Sequence, residues 1–346
     1  MWCLESECRC KILFMKIAIV KLSALGDIVH AMVVLQFIKN HYQKIEIDWI
    51  VEESYKELLE FHPHINKVHV VNLKKVNKKK SFFLLINELR RVRKFGSYDL
   101  VIDMQGLFKS AVISRLISSP VTLGFERSSI REGIASIFYN KTFKYGYDEN
   151  VIQRNFELIK FALELPFNHE EIHYKLPFLF SSQKHLIPGL SSIKKNIILI
   201  PGASHKSKCY PVEKFANVAT NIDANFLIIW GNQKEKIMAE KVKALSPKVI
   251  ICEKLSLDAL ISFILQVDLV IGPDTGPTHM AWALNKSSIT LFGSTPGHRN
   301  SYVTKVNQII ESNSEVNPFK IDKNDNSIND IDAQEIFQVS QDLLNQ

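Results

Sequence analysis

Short apolar runs alternate along the chain with stretches of helical period. Continuous apolar runs stand at 16–21 (KIAIVK), 45–51 (IEIDWIV), 68–72, 100–103 and 121–124. Runs of that kind are expected of parallel strands buried on both faces. Helical spacing fills 26–41, 54–61, 82–95 and 107–117 between them, and 151–165 closes the series. The segment 166–195 loses this rhythm, punctuated by Pro166, Pro177, Pro188 and Gly189, and reads as a linker. A second series then begins. Its strands are predicted at 197–200, 226–230, 249–252, 269–271 and 288–292, and its helices at 212–222, 235–245, 257–266 and 275–284. The stretch 317–329 is polar and irregular, and 332–344 has the spacing of a last amphipathic helix.

Strand–helix alternation of this kind predicts an α/β fold with doubly wound parallel sheets. The expected organisation is an extension at 1–14, Rossmann-like domains at 15–165 and 196–330, the linker between them and a C-terminal helix at 331–346. Met15 directly precedes the first strand, which makes it a candidate start of translation. Two such domains imply a cleft between them, and ligands of these sheets bind outside the carboxyl ends of the strands.

Composition agrees with two domains. The 346 residues are 46% hydrophobic and 23% charged, too apolar and too balanced in charge for a disordered chain. No stretch approaches the roughly 18 consecutive apolar residues needed to span a bilayer. Glu5 and Glu7, with no apolar h-region, argue against a secretory signal. A soluble, cytoplasmic protein is the expectation. Cys3, Cys8, Cys10, Cys209 and Cys252 form no zinc or disulfide pattern and read as reduced thiols.

The net charge of +7 is uneven. Between Asn72 and Phe95, Lys74, Lys75, Lys78, Lys79, Lys80, Arg90, Arg91, Arg93 and Lys94 face Glu88 alone, a local charge of +8 that leaves the rest of the chain at −1. Nucleic acid, anionic lipid and a plain solvated face all fit such a stripe. No helix-turn-helix, RRM or zinc signature accompanies it, which disfavours nucleic acid. Phe82, Phe83, Leu84 and Leu85 follow the lysines and suit either a membrane interface or, more commonly, the core-facing side of a helix.

Three loops carry candidate chemistry. The first strand leads into Lys21-Leu22-Ser23-Ala24-Leu25-Gly26-Asp27, where a nicotinamide or flavin site would place G-x-G-x-x-G; only Gly26 is present. No P-loop occurs either. Asp27 is a carboxylate at a helix start, suited to general-base work or merely to complementing the first turn. In the second half, Pro201-Gly202-Ala203-Ser204-His205-Lys206-Ser207-Lys208 and Gly272-Pro273-Asp274-Thr275-Gly276-Pro277-Thr278-His279 each lead from a strand into a helix. Lysine beside a helix N-terminus is a good cradle for a pyrophosphate. Asp274 also suits a plain N-cap, and His279 a satisfied structural histidine.

At these residues the sequence resembles the heptosyltransferases of lipopolysaccharide core assembly, glycosyltransferase family 9. The likeness runs through IVKLSALGDIVH (19–30), DWIVEE (48–53), IDMQGLFKSA (102–111), REGIASIFYN (131–140), KCYP (208–211) and GPDTGPTHMAWAL (272–284). It implies a GT-B fold and inverting transfer of heptose from ADP-heptose. DWIVEE and REGIASIFYN point to the branch that adds the first heptose to the Kdo of lipid A, with a family member using another acceptor as the alternative.

By this resemblance Asp27 is the general base and Lys208 stabilises charge on the departing ADP. Ser204, Asp274, Thr275, Gly276 and His279 hold the donor, Glu235 the ribose, and Leu255 packs near adenine. Ala203 departs from relatives that carry threonine. Lys74, Lys75, Lys78, Lys79 and Lys80, extended by Arg127 and Arg131, meet the anionic acceptor and the inner face of the bacterial inner membrane. No cofactor or metal is called for, because lysine and helix N-termini balance the pyrophosphate.

Overall fold

The computed structural model describes residues 15–345. The predicted extension 1–14, with Cys3, Cys8 and Cys10 and the question of Met15 as the start, lies outside the described residues. The chain divides between Phe178 and Leu179 into two compact units.

The first unit holds six parallel strands: β1 (Lys16–Val20), β2 (Glu46–Glu52), β3 (Lys67–Val71), β4 (Leu100–Asp103), β5 (Val121–Phe125) and β6 (Lys141–Phe143). Its helices are α1 (Leu25–Met32), α2 (Val34–His41), α3 (Leu73–Lys79), α4 (Phe82–Val92), α5 (Phe108–Leu116) and α6 (Val151–Leu163). The sheet order is β3-β2-β1-β4-β5-β6. Ile17, Ala18, Ile19 and Val20 are wholly buried, which requires neighbours on both edges and helices on both faces. That is why β1 lies at the centre.

The second unit repeats the design. Its strands β7 (Asn196–Leu199), β8 (Asn225–Ile228), β9 (Ile250–Ile251), β10 (Leu269–Pro273), β11 (Ser287–Phe292) and β12 (Asn307–Glu311) run in the order β12-β11-β10-β7-β8-β9. Around them lie α7 (Val212–Asn221), α8 (Gln233–Leu245), α9 (Leu257–Leu265), α10 (Gly276–Ala283), the short α11 (Gly297–Asn300) and α12 (Ala333–Leu344). Ile197, Leu199, Phe215, Phe226, Ile271, Leu291 and Ile336 share one buried cluster, so the last helix is part of this core. In both sheets the strand order reverses at the central pair, β1/β4 and β7/β10.

Several elements differ from the sequence expectation. The stretch 26–41 forms two helices, α1 and α2, with Val33 between them still in the right-handed region; apolar periodicity runs through such a joint unbroken. The helix predicted at 54–61 is a 3-10 turn, Glu53–Leu58, which buries only Leu58 and has no apolar stripe to extend it. The lysine-rich segment forms α3, closed by Lys80 in the left-handed region at φ 47°. Strands β6 and β12 have no continuous apolar run and carried no sequence signal; both lie at sheet edges.

The segment 166–195 is not a free linker. Its first part packs on the first unit: the Phe167 ring lies 5.9 Å from that of Phe37, and Leu176 N–H donates to Gln36 Oε1 at 2.9 Å. Its second part is clipped to α9 in the second unit. Asp258 accepts Ser182 N–H at 2.7 Å and lies 2.7 Å from His185 Nε2. Among the described residues, Cys209 and Cys252 are free thiols, and no helix is long and apolar enough to cross a membrane.

Burial works to raise the Asp258 carboxyl, but the Ser182 and His185 hydrogen bonds outweigh it and hold the group at about 2. A depressed carboxyl contributes stability above its unfolded value of about 3.9, lost as pH falls toward the folded one. Asp258→Asn is expected to lower stability by about 1–3 kcal/mol at pH 7. Thermal unfolding should show this deficit shrinking as the pH falls through about 4 toward 2.

Candidate active site

In the first unit, the β1/β4 reversal opens a cleft of about 170 Å3 lined by Leu22, Ser23, Glu52, Lys74, Gln105 and Lys109 among others. The loop after β1 forms one wall. Gln105 Oε1 accepts the N–H groups of Leu22 and Ser23, each at 3.1 Å. Asp27, in the first turn of α1, is half-buried and its Oδ2 accepts Ala24 N–H at 3.1 Å. Glu52, at the carboxyl end of β2, accepts Lys74 N–H at 3.1 Å. Burial pushes the Glu52 carboxyl up despite that bond and the nearby ammonium. Lys74 Nζ donates to Ser54 Oγ at 2.9 Å and Tyr55 OH at 3.0 Å and lies over the Tyr55 ring.

Of the basic cluster, only Lys74 lines this cleft; Lys75, Lys78, Lys79 and Lys80 are exposed on α3, and Arg127 and Arg131 are exposed after β5. Phe82 and Phe83 do not pack on the core: they are 69% and 80% exposed at the start of α4. Sequence reasoning did not single out Gln105, Lys109 or Glu52. The available signal was a polar side chain directly after an apolar strand, in IDMQGLFKSA and DWIVEE.

The second unit centres on Asp274, directly after β10. Its Oδ2 lies 2.5 Å from Lys208 Nζ and accepts Thr295 Oγ1–H at 2.9 Å, while its Oδ1 lies 2.9 Å from His279 Nε2. One carboxylate therefore ties together the loops after β7, β10 and β11. Burial acts to raise this carboxyl, but the Lys208 ammonium and the His279 hydrogen bond overwhelm it and hold the group far below the usual carboxylate range. Asp274 is thus not an N-cap. Thr275 occupies that position, and its side chain makes no capping bond, so the first-turn amides of α10 face outward from the helix end. His279 is satisfied by Asp274, the structural role, yet it lies within the same cluster as Lys208.

The other residues predicted to hold the donor follow β7, β8 and β9 in the chain. Ser204 is exposed on the loop after β7. Glu235, in the first turn of α8, lies against that loop: a Cβ on Gly202 would fall 2.1 Å from Glu235 Cγ, so only glycine permits the approach. Its carboxylate accepts Gly231 N–H at 2.6 Å and Asn232 Nδ2–H at 2.5 Å. Trp230 Nε1–H donates to Cys252 O at 2.8 Å, joining the ends of β8 and β9, and half-buried Leu255 follows shortly after. Thr295 and the Ser294–Ser207 hydrogen bond of 3.0 Å, which fixes the turn bearing Lys208, were not foreseen. Among the described residues no group of three or more His, Cys, Asp or Glu side chains converges as a metal site.

A buried lysine in an ion pair beside a helix N-terminus is the kind of arrangement that suits a diphosphate. Paired with a second Rossmann-like unit that carries a carboxylate at its own switch point, it defines a GT-B glycosyltransferase. The profile described as Glycosyltransferase family 9 (heptosyltransferase) matches residues 85–327. Lipopolysaccharide heptosyltransferase 1 of Campylobacter coli is 39% identical over 346 residues, covering 95% of this chain and 99% of that protein. The protein of the same name from Pseudomonas aeruginosa is 28% identical, covering 83% and 81%. The solved E. coli heptosyltransferase WaaC with ADP shares the fold, with a TM-score of 0.76 at 22% identity over 95% of this chain and all of that one. The chain belongs to glycosyltransferase family 9.

Removing the cation from this cluster has a calculable cost. Lys208→Ala leaves a buried carboxylate without its charge partner and is expected to cost about 3–5 kcal/mol at pH 7. Because the Asp274 carboxyl is depressed in the wild type, its stabilisation is present above about pH 4 and lost below. Urea unfolding should therefore show the variant's deficit narrowing in acid. The double variant Lys208→Met/Asp274→Asn should recover part of it at pH 7.

Proposed function

We propose that the chain transfers L-glycero-D-manno-heptose from ADP-heptose to the Kdo of lipid A, with inversion, as the first heptose of the lipopolysaccharide inner core. The Lys208–Asp274–His279 cluster beside the α10 N-terminus carries this reading. The end-to-end likeness to the Campylobacter coli protein supports the choice of acceptor.

The chemistry follows from the residues. Asp27 takes the proton of the attacking Kdo hydroxyl; Ala24 N–H holds Oδ2 and leaves Oδ1 to receive it. The hydroxyl oxygen forms its bond to the anomeric carbon as the bond from that carbon to the ADP β-phosphate oxygen breaks, on the opposite face. One displacement inverts the centre and needs no covalent sugar–enzyme intermediate. ADP departs with an added negative charge. Lys208 and the amides of Thr275 and Gly276 meet that charge from fixed positions, which is worth more than donors that must reorganise. Asp274 holds the Lys208 side chain in place through their ion pair. Glu235 and Leu255 hold the ribose and adenine. In this reading no metal takes part, since the lysine and amides balance the diphosphate.

The acceptor side uses the first-unit cleft and the lysines of α3. Lys74 and the exposed Lys75, Lys78, Lys79 and Lys80, with Arg127 and Arg131, face Kdo carboxylates, lipid A phosphates and anionic headgroups. Each lysine near such a surface contributes about 1 kcal/mol. Phe82 and Phe83 add an apolar edge beside them, so the enzyme works as a peripheral protein on the cytoplasmic face of the inner membrane.

With ADP-heptose and Kdo-lipid A, the protein should release ADP; no release beside an active control would reject the reading. Turnover only on an already heptosylated acceptor would assign a later heptose instead. Asp27→Asn should still bind ADP-heptose but lose turnover, and Lys208→Ala, assayed below its unfolding transition, should turn over about 10² more slowly.

Co-sedimentation with vesicles containing phosphatidylglycerol tests the surface. Phe82→Ser/Phe83→Ser should weaken sedimentation while ADP-heptose binding is unchanged. Equal sedimentation of variant and wild type would remove the two phenylalanines from the interface.

A further inference from the structure

The Asp27 carboxylate sits in the first turn after a loop with no regular structure, Lys21 to Ala24. Such a loop holds a side chain in place only if its own amides are fixed. Three consecutive amides are. Leu22 N–H and Ser23 N–H both donate to Gln105 Oε1 at 3.1 Å, and Ala24 N–H donates to Asp27 Oδ2 at 3.1 Å. Two N–H donors converging on one side-chain atom require that atom to be the amide oxygen, so the orientation of Gln105 follows from its partners.

Gln105 is itself anchored from below. Its backbone N–H donates to Asp103 Oδ1 at 2.8 Å, as does that of Gly106 at 3.2 Å. Asp103 is wholly buried at the end of β4, and Tyr139 OH donates to its other oxygen at 2.8 Å. Gly106 turns the chain at φ +69°, and a Cβ there would lie 2.6 Å from Ile130 Cγ2. The Tyr139 ring passes over Gly124, where a Cβ would meet it at 2.3 Å. Lys21 Nζ donates to Met104 O at 2.9 Å, a second tie between the same two loops.

We infer that Gln105 is a positioning residue for the transfer: from the end of β4 it sets the loop after β1, and through that loop the Asp27 carboxylate. This rests on the proposed role of Asp27 and adds a residue that acts through it. Gln105 also lines the cleft, so a direct contact with the acceptor is the competing role. The two separate in kinetics. Displacing a base lowers kcat, whereas losing an acceptor contact raises the KM for that acceptor.

Gln105→Met keeps the length and removes the acceptor oxygen; Gln105→Glu keeps an oxygen in its place. For Gln105→Met, kcat should fall about 10–10²-fold, the scale of a reacting group misplaced by about an ångström, with the KM for ADP-heptose unchanged. Hydrogen exchange followed by mass spectrometry should show faster exchange across residues 22–24 in Gln105→Met, and protection restored in Gln105→Glu. Unchanged exchange and a kcat within twofold of wild type would overturn the inference. A loss confined to the KM for Kdo-lipid A would overturn it too, making Gln105 an acceptor contact. If the wild type releases no ADP, the functional reading fails. The exchange measurement still judges the hold on the loop, and unchanged protection in Gln105→Met then refutes it.

Discussion

Everything functional in this protein depends on a constraint of parallel sheets. Each crossover helix must pack on one face, and where the strand order reverses, successive helices leave toward opposite faces. No helix can cover the carboxyl ends of the two central strands. β1 and β4 leave such a gap in one unit, β7 and β10 in the other. The loops that border those gaps carry Asp27 and Gln105 in the first case and Lys208 and Asp274 in the second. The candidate site residues lie where the fold cannot close over them.

The two gaps are bordered by different groups. In the second unit a buried lysine is ion-paired with a buried carboxylate. The polar groups around that carboxylate come from three loops, an arrangement that, in the proposed reading, meets a departing anion with donors already in place. In the first unit the Asp27 carboxylate is closer to solvent and accepts one backbone amide. Elsewhere in the same unit Lys74 lines the cleft, and exposed lysines and two exposed phenylalanines follow it in the chain. Their combination fits an acceptor that is both anionic and anchored in lipid.

Much of this was legible from residues alone, and the failures have physical causes. Interior strands such as β1 and β10 announce themselves because both faces are buried. Edge strands such as β12, with Gln308 and Glu311 among its residues, are half-exposed and read as loop. The lysines of α3 hid a helix because lysine carries little directional information, while buried Leu73 and Val76 alone mark its inner face. Lys208, Asp274 and His279 were each identified, yet the ion pair joining the first two was not. Asp274 reads as an N-cap from its neighbours, and only folding brings β7 and β10 together. Gln105 escaped for a related reason: its partners are backbone amides, which have no sequence signature.

The Lys208–Asp274 pair also restricts how this chain can change over generations. The two positions lie on separate loops, yet neither can drift alone. Replacing either partner strands a charge in the interior, and a variant that has lost one must survive before the other is corrected. Thr295 and His279 add to the barrier, since they are arranged around the same carboxylate. The cluster is therefore expected to change only as a block. The exposed lysines of α3 carry no such linkage, so that surface can change one residue at a time while the buried pair stays fixed.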